Sequence, residues 1–460
     1  MTPISSTSRR ADTLAETWRV LALAWPVILT SLNWTILHVT DVVVVGLVST
    51  HEVAALGASR TLTFVGIVAG LAWLSGILVE AARADGAGDG ARTAAVLRQG
   101  LVLGLLLGLA MGALLFVGAV PLLAVAGVTP DIVGPAARVV RVMALAYPFQ
   151  LLIVAASFFL EGVSRPRRVA AVNLAILPLN AVLAWALSGG HLGLPAMGAA
   201  GAAGATAIAS AIGALAMVAC AVTLPGRHAA ALRDRGATAW QGTMTGVAAL
   251  ARFGIVPALA SGLELAGFAI LIALSTRFGD QTAHAFQIVF SVHNVTFALA
   301  LGLGSAAGVR TGNAVGEGLP AAAVPRALIA TGLTAVAMGV CALGLMAGAG
   351  PIVAAFPAAA PTHGLALTML MLWAPFIVFD GVQVVLVYAL RSLGDQVAAG
   401  INSIIAYFLV TGGVGLWLVH AGHGPMALVW ASGIGMVTAA TLHGGRFAIL
   451  SARLRVRPRS

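Results

Sequence analysis

Apolar residues gather along this chain in twelve long runs, at about 20–43, 53–80, 95–118, 133–161, 169–188, 197–223, 247–276, 282–307, 324–347, 365–389, 398–419 and 426–449. A helix that crosses a bilayer needs ~20 mostly apolar residues, so each run predicts a transmembrane helix. The arginines mark the breaks between runs. Arg9, Arg10 and Arg19 precede the first run, and Arg83, Arg92 and Arg98 flank the second break. Arg165, Arg167 and Arg168 lie in the fourth break, and Arg227, Arg233 and Arg235 in the sixth. Arg310 and Arg326 mark the eighth, Arg391 the tenth, and Arg446, Arg453, Arg455, Arg457 and Arg459 crowd the end. The odd-numbered breaks hold almost none. Basic residues stay on the cytoplasmic side, so both termini are expected to be cytoplasmic, and an even number of spans follows.

The pattern repeats. RADGAGDG from Arg83 follows the second run, and RTGNAVGEG from Arg310 follows the eighth. Arg98 matches Arg326, Pro26 matches Pro257, Pro148 matches Pro375, and Pro195 matches Pro425, all at nearly the same offset of about 228. The expected fold is therefore an all-α integral membrane protein of twelve transmembrane helices in two pseudo-symmetric six-helix lobes. Both copies begin inside, so the repeat is parallel, about an axis along the membrane normal. Halves of this kind enclose a central cavity and alternate access to it. The expected organisation is an N-lobe at 1–223, a polar cytoplasmic linker at 224–244, and a C-lobe at 245–460 with a short basic tail.

Composition agrees with a lipid solvent. Hydrophobic residues make up 60% and charged residues 9%, against about a quarter charged in soluble domains. The net charge is +10, and all the basic residues are arginine. Their place at helix ends is that of membrane orientation, not of nucleic-acid binding. Cys220 and Cys341 lie in apolar runs with no metal-ligand spacing and read as buried free thiols. The polar, amphipathic N-terminus carries no cleavage pattern of a signal peptide, so the first run is expected to remain as a helix. The location expected is the cell inner membrane, multi-pass.

Three acids stand well inside apolar runs: Asp41, Glu264 and Asp380. Each costs about 2.5–3.5 kcal/mol at mid-span on insertion scales. They are tolerated where they face a wet cavity, pair, or take up protons or cations, and burial favours the neutral form, so reversible protonation is open to them. No arginine lies within one helical turn of any of them, so a salt bridge must come from another helix. At ~100° per residue, Trp34, His38 and Asp41 share one stripe, as do Phe376, Asp380 and Gln383. His284, Gln287, Ser291 and Asn294 form a polar arc on the eighth helix, which suits either interhelical hydrogen bonding or a cavity wall. Aromatics beside carboxylates suit organic cations. Glu80 and Glu161 lie near helix ends, within reach of Arg83 and Arg165. Arg138 and Arg141 sit early in the fourth helix, where they either snorkel or line a cavity. The glycine-rich breaks read as turns, not phosphate loops, because no strand precedes them and no lysine follows. No nucleophile–base pair or metal cluster emerges, so no enzyme is expected.

The chain resembles the multidrug and toxic compound extrusion (MATE) transporters over nearly its whole length. The resemblance lies in AWPVILTSLNWTILHVTDVVVVG, RADGAGDG, EGVSRPRR, PLNAVLAW, GAAGATAIAS, IVPALASGLELAGFAI, RTGNAVGEG and FDGVQVVLVYALRSLGD. It is similar to the NorM-like branch in its pair Glu264 and Asp380, which the resemblance implies is a proton or sodium site in the C-lobe. It also implies that Asp41 is the N-lobe acid, with Asn180 and Thr206 near it. Ala184 departs from the pattern, standing where the DinF-like branch carries a second N-lobe acid, and this shifts weight to the C-lobe pair. The function expected is a monomeric secondary antiporter. It exports small, mostly cationic organic compounds in exchange for inward proton or sodium, with no cofactor beyond that ion. Glu264, Asp380 and Asp41 are the expected coupling residues. Trp34, His38, Asn180, Thr206, Gln287, Ser291, Asn294, Phe376 and Gln383 are the expected cavity residues. A major facilitator would carry a basic loop after its second helix, which RADGAGDGAR does not supply. A lipid-linked sugar flippase would favour a cationic cavity. A membrane prenyl transferase would need paired acid-rich motifs, whereas the three acids here are dispersed singly.

Overall fold

The computed structural model describes residues 6–225, 229–234, 236 and 240–456, and these form helices joined by short turns, without a strand. The spans are α1 (Asp12–Gly46), α2 (Thr50–Gly86), α3 (Gly90–Val125), α4 (Pro130–Ala144 with Tyr147–Gly162), α5 (Pro166–Gly189) and α6 (Gly198–Val222). They continue as α7 (Thr243–Thr276), α8 (Asp280–Gly316), α9 (Pro320–Ala347), α10 (Ala360–Ser392), α11 (Gln396–His420) and α12 (Ala427–Leu454). Twelve spans follow when the bent pair of α4 counts as one. Residues 226–228, 235 and 237–239 of the expected linker, and 457–460 of the basic tail, lie outside the described residues.

Local chemistry sets the helix ends. The Ser49 side chain accepts from the Glu52 amide, and Asp89 accepts from the Arg92 amide, so each satisfies a donor that the first turn leaves free. Pro166 and Pro320 open α5 and α9, where a missing N–H costs nothing. The repeat is visible in the turns. Gly88 (φ 70°) closes α2 as Gly318 (φ 73°) closes α8, and Ser164 (φ 61°) stands after α4 as Gly394 (φ 89°) stands after α10. RADGAGDG and RTGNAVGEG, expected to be turns throughout, begin as the last helical residues of α2 and α8, and only their ends turn. One matched pair of prolines breaks matched spans, whereas Pro26 and Pro257 lie within continuous helices. α4 bends by 47° before Pro148, and α10 passes through a 3-10 turn at Ala374–Phe376 around Pro375. Proline removes one helical hydrogen bond and crowds the preceding turn, which accounts for both breaks.

The chain packs into two compact units cut within α1 and α7, just after Pro26 and Pro257. One holds α1 up to Ile28 and the chain from Leu259 onward; the other runs Leu29–Ala258. Repeat copies and packing units are thus different divisions. In the first unit, Val20 and Ala24 of α1 pack on Leu303 and Ala306 of α8, and a second core gathers Phe286, Met369, Trp373 and Tyr407. In the other, Leu123, Val140 and Tyr147 form a core, and the indole of Trp73 donates to the Ala251 carbonyl of α7 at 2.8 Å. Helix ends are tied by ion pairs. Glu80 meets Arg83 at 3.1 Å and Arg92 at 2.7 Å, Glu317 meets Arg326 at 2.7 Å, and Asp395 meets Arg446 at 2.5 Å.

Candidate functional site

Asp380 lies one turn beyond the α10 break and is 2% exposed. Its Oδ1 accepts from the Tyr407 hydroxyl at 3.0 Å and from Gln383 Nε2 at 3.3 Å. Its Oδ2 is buried and has no hydrogen-bond partner among the described residues, while His293 Nε2 stands 3.9 Å away. Glu264, half-buried on α7, is within electrostatic reach of Asp380, Tyr407 and Arg391. The surroundings are apolar. The rings of Phe268, Phe290, Phe297 and Trp373 pack 5.4–6.2 Å from the His293 ring. A carboxylate oxygen left without a partner in such a place is expensive. Uptake of a proton or a monovalent cation would relieve that cost.

Tyr407 reaches Asp380 from a stretch of α11 that is locally widened. Residues Ile404–Gly412 form a π-helix, and the Thr411 hydroxyl bonds back to the Ala406 carbonyl at 3.1 Å. Such widening shifts the register of every later side chain and is frequent at functional sites. Glycines accommodate it. A Cβ on Gly267 of α7 would collide with the Tyr407 carbonyl, and one on Gly435 of α12 with the Thr411 hydroxyl.

The second unit holds a cavity of about 680 Å³, mouth included, walled by α1, α2, α4 and α6. Trp34, His38 and Asp41 all line it, as their shared stripe predicts, with Trp34 and His38 edge to face at 6.5 Å. Asp41 is 6% exposed, and its Oδ1 accepts from Asn180 Nδ2 at 3.2 Å. Arg60 of α2 also lines the cavity. Its Nη2 donates to the His38 carbonyl at 2.9 Å and stands 3.8 Å from Asp41 Oδ2. Opposite unit charges at that separation attract by roughly 4 kcal/mol at an effective dielectric of ~20.

The remaining expected residues are placed elsewhere. The Thr206 hydroxyl bonds to Ala202 of its own helix. Gln287 and Asn294 are exposed, and the Ser291 hydroxyl donates to the Gln287 carbonyl at 2.8 Å. The polar arc of α8 thus lies away from Asp380, and His293 on the buried face approaches it instead. Phe376 packs edge-on against Trp430 at 6.0 Å. Arg138 and Arg141 are exposed, with Arg141 Nε on the Phe116 carbonyl at 3.4 Å. Sequence reasoning missed Arg60, His293 and Tyr407. A search for arginines inside apolar runs would have found Arg60, whereas nothing in the sequence announces the π-helix that aims Tyr407.

Comparison with known proteins gives the same picture twice over. The MatE family model matches residues 26–186 and again 257–415, each match opening on one of the paired prolines. The chain is 32% identical over 447 residues to a probable multidrug resistance protein NorM of Burkholderia pseudomallei (strain K96243), covering 95% of this chain and 93% of that one. It is 32% identical over 446 residues to the protein of the same description from Deinococcus radiodurans, covering 95% and 96%. Its fold matches a crystal structure of MATE in complex with MaL6 at TM-score 0.87 and 18% identity, covering 96% of this chain and 98% of that one. This chain belongs to the MatE family.

Proposed function

We propose that the protein is a secondary antiporter, not an enzyme, that exports small organic, mostly cationic compounds in exchange for inward proton or sodium. The observation that carries the reading is Asp380. It is buried mid-span, its Oδ1 is held by Tyr407 and Gln383, and its Oδ2 is left without a partner among the described residues. Glu264 adds a second carboxylate within electrostatic reach. Membership of the MatE family and the multidrug resistance proteins among its relatives support the transport role. Ion and substrate answer to the same negative field, so occupation by one weakens the other, and that reciprocal coupling drives exchange. Asp41 contributes in the other unit, where Arg60 offsets part of its charge. In this reading the protein works as a monomer in the cell inner membrane with both termini cytoplasmic, since the arginines crowd the even-numbered breaks. The test is uptake of a cationic dye into proteoliposomes under independently imposed sodium and proton gradients. Uptake driven by one gradient is expected; indifference to both would refute antiport.

A further inference from the structure

Arg391 differs from the other arginines at the helix ends. Arg83 and Arg92 meet Glu80, Arg326 meets Glu317, and Arg446 meets Asp395. Arg391 lies in the last turn of α10, about three turns beyond Asp380. The acid nearest to it in sequence, Asp395, is already taken by Arg446 through bonds of 2.5 and 3.0 Å. The Arg391 Nε is shut off from solvent and has no hydrogen-bond partner among the described residues. Its guanidinium carbon stands 6.0 Å from the centre of the Tyr388 ring. A guanidinium does not give up its proton in a protein, so a charge placed here calls for a counter-charge. Glu264 of α7 is the acid within its electrostatic reach. Glu264 answers in two directions, because Asp380 is within its reach as well. The acid pair and its surroundings thus hold two carboxylates and one fixed cation. His293, 3.9 Å from Asp380, and His443, 3.4 Å from the Ser403 hydroxyl, add charge only when protonated. With both imidazoles neutral the sum is one negative charge, which one monovalent cation cancels. A second cation would have to take the place of Arg391 beside Glu264, and a side chain tethered to α10 cannot leave.

We propose that Arg391 is the resident counter-charge of Glu264 and fixes the exchange at one coupling cation per turnover, with Asp380 as the charge that cation answers. The inference rests on the antiporter reading above and adds its stoichiometry. An arginine that only complements the C-terminal end of α10 would have no hold on the number of ions. The test uses proteoliposomes loaded with sodium or with protons in separate preparations, and ethidium outside as a monocationic dye. One-for-one exchange of monocations moves no net charge. An inside-positive potential set with potassium and valinomycin is therefore expected to leave wild-type uptake unchanged. Arg391→Gln uncovers a second negative charge. Its dependence on the ion is expected to steepen to a Hill coefficient of about two, and its uptake to rise with the inside-positive potential, as two cations leave for each dye that enters. Arg391→Lys keeps the charge and is expected to follow wild type in both respects. Glu264→Gln leaves Arg391 unbalanced beside the ion site and is expected to raise the half-saturating ion concentration about tenfold. Adding Arg391→Gln to it removes the excess charge and is expected to bring that value back. This double variant decides the matter if Arg391→Gln alone does not fold. Potential-independent uptake in Arg391→Gln, or a double variant no better than Glu264→Gln, overturns the proposal. Wild-type uptake is scored separately. Indifference to both ion gradients would strike the antiporter reading, whereas gradient-driven uptake that already follows the potential in wild type would strike this inference alone.

Discussion

Tyr407 donates its phenolic proton to Asp380 across 3.0 Å, from a π-helical segment of α11 to the turn after the break in α10. Two helix irregularities thus meet at one carboxylate. A hydrogen bond to a charged group is worth about 1.5–3 kcal/mol, which is about a tenfold effect or more on an ion's affinity. Tyr407→Phe is therefore expected to leave the carboxylate less shared, to lower the half-saturating concentration of the coupling ion about tenfold, and to slow turnover because the ion leaves late. Dye uptake measured across a series of ion gradients checks this. An unaltered ion dependence would mean that the phenol has no hold on the acid.

Asp380→Asn keeps the shape of the side chain and an oxygen for Tyr407 but removes the charge. Gradient-driven uptake is expected to fall to the level of empty vesicles, with expression and folding preserved. Drug resistance in an export-deficient cell gives the same readout in vivo. Glu264→Gln is expected to reduce uptake less steeply, since Glu264 is less enclosed than Asp380. Full resistance in the Asp380→Asn cell would end the coupling role of this residue.

The widened segment of α11 depends on small neighbours. Gly267→Ala places a methyl group against the Tyr407 main-chain carbonyl, which cannot rotate aside. Overpacking of this kind costs about 1–3 kcal/mol. Gly262→Ala on the same helix meets open space and gains from alanine's better helix propensity, by up to ~1 kcal/mol. Thermal unfolding in detergent should separate the two, with Gly267→Ala melting below wild type and Gly262→Ala at or above it. Equal melting would show that the helix contact yields easily.

The spans and the repeat could be read from the sequence because the bilayer imposes a length of apolar chain and because prolines recur at matched places in the two halves, two of them at breaks. Trp34, His38 and Asp41 were legible for a similar reason: helical spacing alone puts them on one face. Contacts that join distant helices were not. Arg60 has no sequence relation to Asp41, and its bond to the His38 carbonyl depends on how α2 lies against α1. On α8 the periodicity revealed a polar arc but not which face meets the protein, so the arc drew attention while His293, among apolar neighbours, stood at the acid. Arg310 read as a marker of a polar break, yet it lies within α8 and its guanidinium grips Glu16, far back in the chain.

That grip yields a stability prediction. Arg310 Nε and Nη2 meet the two oxygens of Glu16 at 2.6 and 2.7 Å, and the side chains are 13% and 7% exposed. A buried pair of this geometry holds the first part of α1 on α8, beside the packing of Val20 and Ala24 on Leu303. Removing Glu16 strands Arg310 and costs about 3–5 kcal/mol, removing Arg310 costs less because Arg19 still stands 3.4 Å from Glu16, and replacing both by apolar residues of similar size is nearly neutral. Glu16→Met is expected to lower the unfolding midpoint markedly, Arg310→Met to lower it less, and the double variant to recover most of the loss. Arg326→Met, which breaks the more exposed pair with Glu317, is expected to cost about 1 kcal/mol or less. Additive losses in the Glu16 and Arg310 variants would mean that the two side chains act independently and that the apolar contacts alone fix α1.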